Sequence, residues 1–219
     1  HAEMCIPSNP IAQIRPPKIP QKPFSVFSPE QVKSLLAQCD PTSYLGARDR
    51  AIILTLYRTG LRAQEVCNLT IEDVDFNGSR IVVREGKGRK YRVVAMDMEL
   101  KRELYRYIQQ RNRHQVLLRA SLLDAGYASF FMNRNGTPMR RRHLTHIIEK
   151  LGKGAGICGV RCSPHTFRHT FATNWIVRGG DIFSLQQILG HTTLEMVRRY
   201  VTLTAADLAR KQEKVMWGR

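Results

Sequence analysis

Between Ser28 and Tyr200 the apolar positions follow two different periods, and the changes of period mark out the elements. Val32, Leu35 and Leu36 recur at helical spacing behind Ser28-Pro29-Glu30-Gln31. There a serine cap, a proline in the first helical position and a glutamine three residues after the cap form a capping box. Arg48 to Thr59 repeats the pattern with Ile52, Ile53, Leu56 and Tyr57, stops at Gly60, and is followed by a short helix over Ala63–Asn68. The period then drops to two. Arg80–Arg84 and Tyr91–Ala95 are rich in β-branched residues, and Glu85-Gly86-Lys87-Gly88-Arg89-Lys90 lies between them. That arrangement predicts a hairpin with a basic, glycine-bearing turn.

Helical spacing returns in Leu100, Leu104, Tyr107 and Ile108, so Met98–Arg111 is predicted helical, and Ser129–Met132 reads as a third strand before a turn at Asn133–Pro138. The remainder is helical. Arg140–Leu151 is one helix, and Ser163-Pro164 opens another that runs to the Gly179-Gly180 break. Asp181 caps the next, which ends near Gly190. Thr192-Thr193-Leu194-Glu195 predicts a capping box for a segment through Tyr200, and Thr204-Ala205-Ala206-Asp207 opens a last helix. The fold class is mainly α with one small antiparallel sheet (α+β). Ahead of it, Pro7, Pro10, Pro16, Pro17, Pro20 and Pro23 stand among polar residues, the composition of an extended linker.

Composition narrows the function. Of the 219 residues, 42% are hydrophobic and 24% charged, which excludes a disordered or fibrous chain. The longest apolar runs, Ala51–Leu54 and Val93–Met96, fall far short of the roughly 18 residues of a membrane span. Lys plus Arg is 35 against 18 Asp plus Glu, a formal net charge of +17. A domain this basic repels itself, and a polyanion relieves that repulsion while releasing its own counterions. Nucleic acid is the expected partner, and no membrane is expected, since no basic helix carries an opposite Trp/Phe/Leu face. The five cysteines are odd in number and irregularly spaced, which argues against a disulfide framework. Cys158, Cys162 and His165 lack a second ligand pair at zinc spacing, and no metal or other cofactor is expected.

The segment Ser163-Pro164-His165-Thr166-Phe167-Arg168-His169 sets His165 and Arg168 three residues apart at a helix N-terminus. A guanidinium and an imidazole on one face, beside free backbone N–H groups, suit an anion. Phe167 and Phe171 point to the core side. Further motifs accompany this one in order: Thr59-Gly60-Leu61-Arg62-Ala63-Gln64-Glu65, then Gly86-Lys87-Gly88-Arg89-Lys90-Tyr91-Arg92, then Leu189-Gly190-His191, and finally Tyr200. Together with the His165–Thr173 segment they resemble the tyrosine recombinases, also called phage integrases, with Xer-like character. The resemblance runs from Ser28 to Thr204. Glu195-Met196-Val197-Arg198-Arg199 departs from the Thr- and Ser-rich pattern of many members but leaves the His191–Tyr200 spacing intact.

The resemblance implies an active-site set of Arg62, Lys87, His165, Arg168, His191 and Tyr200. It divides the chain into an interdomain linker (1–27) behind a missing N-terminal DNA-binding domain, a catalytic domain (28–203) and a C-terminal helix or tail (204–219). The residue types suit the chemistry. Two arginines can fork the non-bridging oxygens of a phosphodiester and carry charge that a metal would otherwise supply. Tyr200 is a nucleophile that stays on the enzyme, so a 3′-phosphotyrosyl link conserves the bond energy and needs no ATP. Lys87 protonates the leaving 5′ oxygen, with Lys90 as its rival. His165 accepts the Tyr200 proton and His191 hydrogen-bonds the phosphate. Arg89, Lys90, Arg140, Arg141 and Arg142 are expected on the DNA backbone. Expected partners are double-stranded DNA and further copies of the chain in a tetrameric synapse joined through the C-terminal tail; the expected location is the cytoplasm, on the bacterial nucleoid. A type IB topoisomerase-like enzyme and a non-catalytic DNA-binding module remain open as alternatives.

Overall fold

A computed structural model describes residues 25–84, 91–117, 128–198, 200, 201, 212, 213 and 216. The proline-rich segment, the hairpin turn with Lys87, Arg89 and Lys90, and all but three residues of the C-terminal tail lie outside the described residues.

Helix α1 (Pro29–Ala37) opens on the expected capping box: Ser28 Oγ accepts from Gln31 N–H at 3.2 Å, and Ser28 N–H donates to Gln31 Oε1 at 3.0 Å. Helix α2 (Tyr44–Thr59) starts earlier than predicted because Ser43 caps it, its Oγ accepting from Gly46 N–H at 3.1 Å. Ala51 to Leu56 are all buried, which makes α2 the central rod, packed against α1, α4 and α6. It ends at Gly60 in the left-handed region, φ 65°. A short α3 (Ala63–Asn68) and one 3₁₀ turn (Ile71–Asp73) lead into the sheet.

The sheet is three-stranded and antiparallel in the order β1 (Val74–Asp75), β2 (Arg80–Arg84), β3 (Tyr91–Ala95), with Val82 opposite Val93. The predicted hairpin is therefore present, but the third strand is β1 and not Ser129–Met132. Ser129 and Met132 form only isolated bridges, to Thr70 and Pro138. Side chains take up much of the backbone polarity there. Tyr107 Oη donates to Phe130 O at 3.1 Å and accepts from Met132 N–H at 3.2 Å, and Arg111 Nη2 donates to Ser129 O at 2.8 Å. Phe130, Phe131 and Met132 are thereby buried on all sides without a ladder.

Helix α4 (Met98–Leu117) runs past its predicted end at Arg111, because that arginine is fully buried against the 129–132 segment and does not mark an exposed terminus. Helices α5 (Arg141–Gly154), α6 (Pro164–Val177) and α7 (Ile182–Leu189) follow close to expectation. Helix α8 is a single turn, Glu195–Arg198, and starts later than predicted: Val197 and Arg198 N–H groups both donate to Leu194 O at 2.9 Å, so the chain turns helical after Leu194.

Among the described residues two apolar clusters divide the interior. The larger joins α1, α2, α4, α5 and the sheet to Phe167 of α6. The smaller gathers Ala172, Ile176, Leu185, Leu189 and Val197, with Phe171, Trp175 and Tyr200 packed against it. Helix α6 belongs to both, which places Arg168 at the seam.

Candidate active site

The site begins with the local rules that set α6. Ser163 Oγ accepts from Thr166 N–H at 3.2 Å and Pro164 takes the first helical position, so the helix starts at a fixed residue. Arg168 follows one turn on, only 4% exposed. Its Nη1 donates to Gly60 O at 2.9 Å, and its Nη2 donates to Leu189 O at 2.7 Å and to His191 Nε2 at 2.8 Å. Three of the five guanidinium N–H groups are thus engaged among the described residues, and two remain for an anion. Burial, followed by the nearby charge of Arg62, pulls the Arg168 pKa down to about 10, opposed by Glu65 and Tyr200.

Gly60 allows this approach. At φ +65 a Cβ would lie 2.6 Å from Phe171 Cδ1 and 2.9 Å from Leu189 Cδ2, so only glycine lets α6 and α7 close over the end of α2.

His191 follows Gly190, the left-handed end of α7. A guanidinium can only donate, so Nε2 of His191 is unprotonated and the ring proton sits on Nδ1. That Nδ1 is buried and finds no partner among the described residues. Burial and then Arg168, Arg62 and Arg92 depress the His191 pKa to about 4, with Glu65 opposing.

Arg62 caps α3 from the end of the Gly60-Leu61 turn. Glu65 accepts its backbone N–H at 2.7 Å and its Nη1 at 2.9 Å, while Arg62 Nη2 donates to Gly190 O at 3.0 Å. The side chain keeps 41% exposure, so the guanidinium reaches open space. A cavity of about 480 Å³ opens there, lined by Arg62, Arg141, Arg161, His165, Arg168 and His191 among others, with no carboxylate among the described residues of its wall. Four lining arginines suit this cavity to an anion.

The structure thus brings Arg62, Arg141, His165, Arg168 and His191 to one cavity. Arg140 and Arg142 are exposed beside Arg141 at the start of α5. Lys87, Arg89 and Lys90 lie outside the described residues. The Tyr200 hydroxyl is hydrogen-bonded to His169 Nδ1 at 2.9 Å, and the exposed His165 stacks edge-on against the His169 ring at 4.2 Å. His169, which sequence reasoning passed over although it lies in the same motif as His165 and Arg168, is therefore hydrogen-bonded to the Tyr200 hydroxyl. Glu65, Arg92 and Arg161 were also passed over. Among the described residues no group of three or more His, Cys, Asp or Glu side chains is arranged to hold a metal.

Residues 25–207 match the phage integrase family. The chain is 36% identical over 202 residues to the tyrosine recombinase XerA of Thermococcus kodakarensis, covering 92% of this chain and 66% of that protein. The crystal structure of a XerA recombinase superposes with a TM-score of 0.73 at 33% identity, covering 91% of this chain and 68% of that one. The Tn1549 transposon integrase in complex with transposon right end DNA gives 0.71 at 27% identity, covering 90% and 67%. The chain spans about two thirds of the length of these relatives.

Proposed function

Because this chain belongs to the phage integrase family, we propose that it cuts and rejoins double-stranded DNA at a specific site through a covalent link to Tyr200. The observation that carries this reading is the cavity in which Arg62, Arg168 and His191 converge, with no carboxylate among its described lining residues. A phosphodiester under attack gains charge on its non-bridging oxygens, and preorganised donors aimed at those oxygens lower the barrier. Arg168 and Arg62 supply two permanent forks, and the Nδ1–H of His191 supplies a neutral donor that is already desolvated. Tyr200 Oη forms the new bond to phosphorus, the bond to the 5′ oxygen breaks, and the departing oxygen takes a proton from Lys87. The proton of Tyr200 passes to a histidine. His165 is the acceptor implied by the family resemblance, and His169 is the one already in contact with the hydroxyl. Attack by another 5′-OH reverses the step and joins the new strand, with no ATP consumed.

The exposed Arg140, Arg141 and Arg142 suit backbone contacts with the duplex, and Arg89 and Lys90 have the charge for the same role. The same reading has the chain act as a tetrameric synapse linked through residues 204–219, in the bacterial cytoplasm on chromosomal DNA. A type IB topoisomerase would share the chemistry without exchanging partners, and strand transfer between two duplexes separates the two.

Incubation with a nicked suicide duplex tests the reading. The parent chain is expected to give an SDS-resistant adduct mapping to Tyr200, and Tyr200→Phe is expected to bind the duplex normally and give none. An undiminished adduct in Tyr200→Phe overturns the nucleophile, and no adduct in the parent chain overturns the enzyme.

A further inference from the structure

Arg92 lies inside β3, on the same inward face as the buried Val94. An arginine on a small sheet ordinarily carries its head to water, yet this side chain is only 10% exposed. Its Nη1 and Nη2 donate to Glu65 Oε1 and Oε2 at 3.0 and 2.7 Å, a fork-to-fork pair that fixes the carboxylate plane. Its Nε donates to Ile188 O at 2.7 Å. Each of those partners leads to the cavity. Glu65 holds both the backbone N–H and the Nη1 of Arg62. Ile188 sits in the last turn of α7, just ahead of Gly190, whose carbonyl receives Arg62 Nη2, and of His191.

We propose that Arg92 is a positioning residue of the phosphate site: one guanidinium aims Arg62 through Glu65 and, through Ile188, fixes the end of α7 that carries His191. The proposal rests on the phosphodiester reading above. Stability does not account for the arrangement, because a buried Arg–Glu pair such as Arg92–Glu65 generally gains little over apolar side chains of the same volume. Charge balance does. A single carboxylate shared by two arginines leaves the triad with one net positive charge, and Arg62 is the member facing the cavity. Without Arg92, both oxygens of Glu65 are free to neutralise Arg62 and turn it from the phosphate. Lysine cannot replace the fork, since a point charge fixes neither the carboxylate plane nor a second acceptor.

The test uses Arg92→Met, Arg92→Lys and the double variant Arg92→Met/Glu65→Gln in the full chain, each checked for cooperative melting. Single-turnover cleavage of the nicked duplex is expected to slow by about 10²-fold in Arg92→Met, as for misplacement of a reacting group by about 1 Å, with DNA affinity little changed. The double variant is expected to recover part of that rate, because a neutral amide no longer captures Arg62. The His191 ring, followed by NMR, provides a readout independent of DNA. It is surrounded by Arg168, Arg62, Arg92 and Glu65. Its titration midpoint is expected to rise in Arg92→Met, and its shift on adding inorganic phosphate to weaken. A folded Arg92→Met that cleaves at the parent rate, or whose His191 midpoint and phosphate response are unchanged, overturns the proposal. Should Arg92→Met fail to fold, Arg92→Lys is judged by the same criterion on cleavage rate and phosphate response. Absence of any adduct in the parent chain would sink the phosphodiester reading instead, and the His191 measurements would still decide the role of Arg92.

Discussion

Replacing Arg168 by methionine separates its two roles, as a cation for the phosphate and as a brace between elements. The side chain is 4% exposed. The fall of its pKa from 12.5 to about 10 corresponds to a penalty of about 3 kcal/mol for keeping the charge in the fold. The folded value is the lower one, so the unfolded chain binds the proton more tightly, and the penalty is complete at every pH below 10. Methionine removes it. Against this, Gly60 O and Leu189 O lose their guanidinium donor, at about 1–3 kcal/mol for each buried carbonyl. The net loss is then no more than about 3 kcal/mol, and a chain of this size melts about 2–4 °C lower for each kcal/mol. The response to an anion is what changes sharply. At ten times its dissociation constant, inorganic phosphate stabilises the parent by about 1.4 kcal/mol, or about 3–6 °C. Melting scans of parent and Arg168→Met in phosphate and in chloride of equal ionic strength read this directly. The parent is expected to gain those degrees and the variant to lose most of the gain. An equal gain in both refutes the assignment of Arg168 to the anion site.

Lys87→Ala is expected to lose cleavage on an ordinary duplex and to regain it on one whose leaving 5′ oxygen is sulfur, since a thiolate departs without a proton; rescue of Lys90→Ala in its place would show the other lysine to be the acid. His191, with its pKa depressed to about 4, is expected to stay neutral from pH 8 to pH 5 and to add no limb to the cleavage profile there. Its folded value lies below the unfolded 6.5, so its part of the stability is complete above pH 6.5 and lost as pH falls towards 4. An NMR midpoint near 6.5 would contradict the burial of the ring and the surrounding field of arginines.

The elements that were legible in the sequence are those whose ends carry their own chemistry. Ser28 and Gln31 mark α1, Ser163 and Pro164 mark α6, and Asp181 and Gly190 bracket α7. The hairpin was legible because alternation at Ile81, Val83 and Val94 puts one face in the core. Ser129–Met132 was misread because its partners are a tyrosine on α4 and two chain segments, none of which a local period reveals. In the site, Arg62, His165, Arg168 and His191 were found by the order of their motifs. Arg92 was not, because its partner Glu65 is 27 residues away. The signal was nevertheless present: an arginine in phase with the inward Val94 needs an anion inside. Glu65, three residues past Arg62 at a helix start, carried a similar signal in the capping-box spacing.

The two apolar clusters explain why the site lies where it does. Arg168 grips Gly60 O at the end of α2, in the larger cluster, and Leu189 O at the end of α7, in the smaller. Arg62 repeats the link from the larger side by donating to Gly190 O. Both carbonyls at the left-handed turns, Gly60 and Gly190, are helix-end acceptors that α2 and α7 leave unpaired, and the two arginines satisfy them. The cations that suit a phosphate are therefore the same ones that join the two layers. Tyr200, the proposed nucleophile, packs on the smaller layer, whereas Arg62 leaves the larger one, so the two are carried by different bodies of side chains. Any shift of α7 and α8 relative to α2 changes the distance from Tyr200 to Arg62 and strains the Arg168 contacts at the same time. In this geometry the hydrogen bonds that hold Arg62 and Arg168 in the site are also bonds between the two clusters.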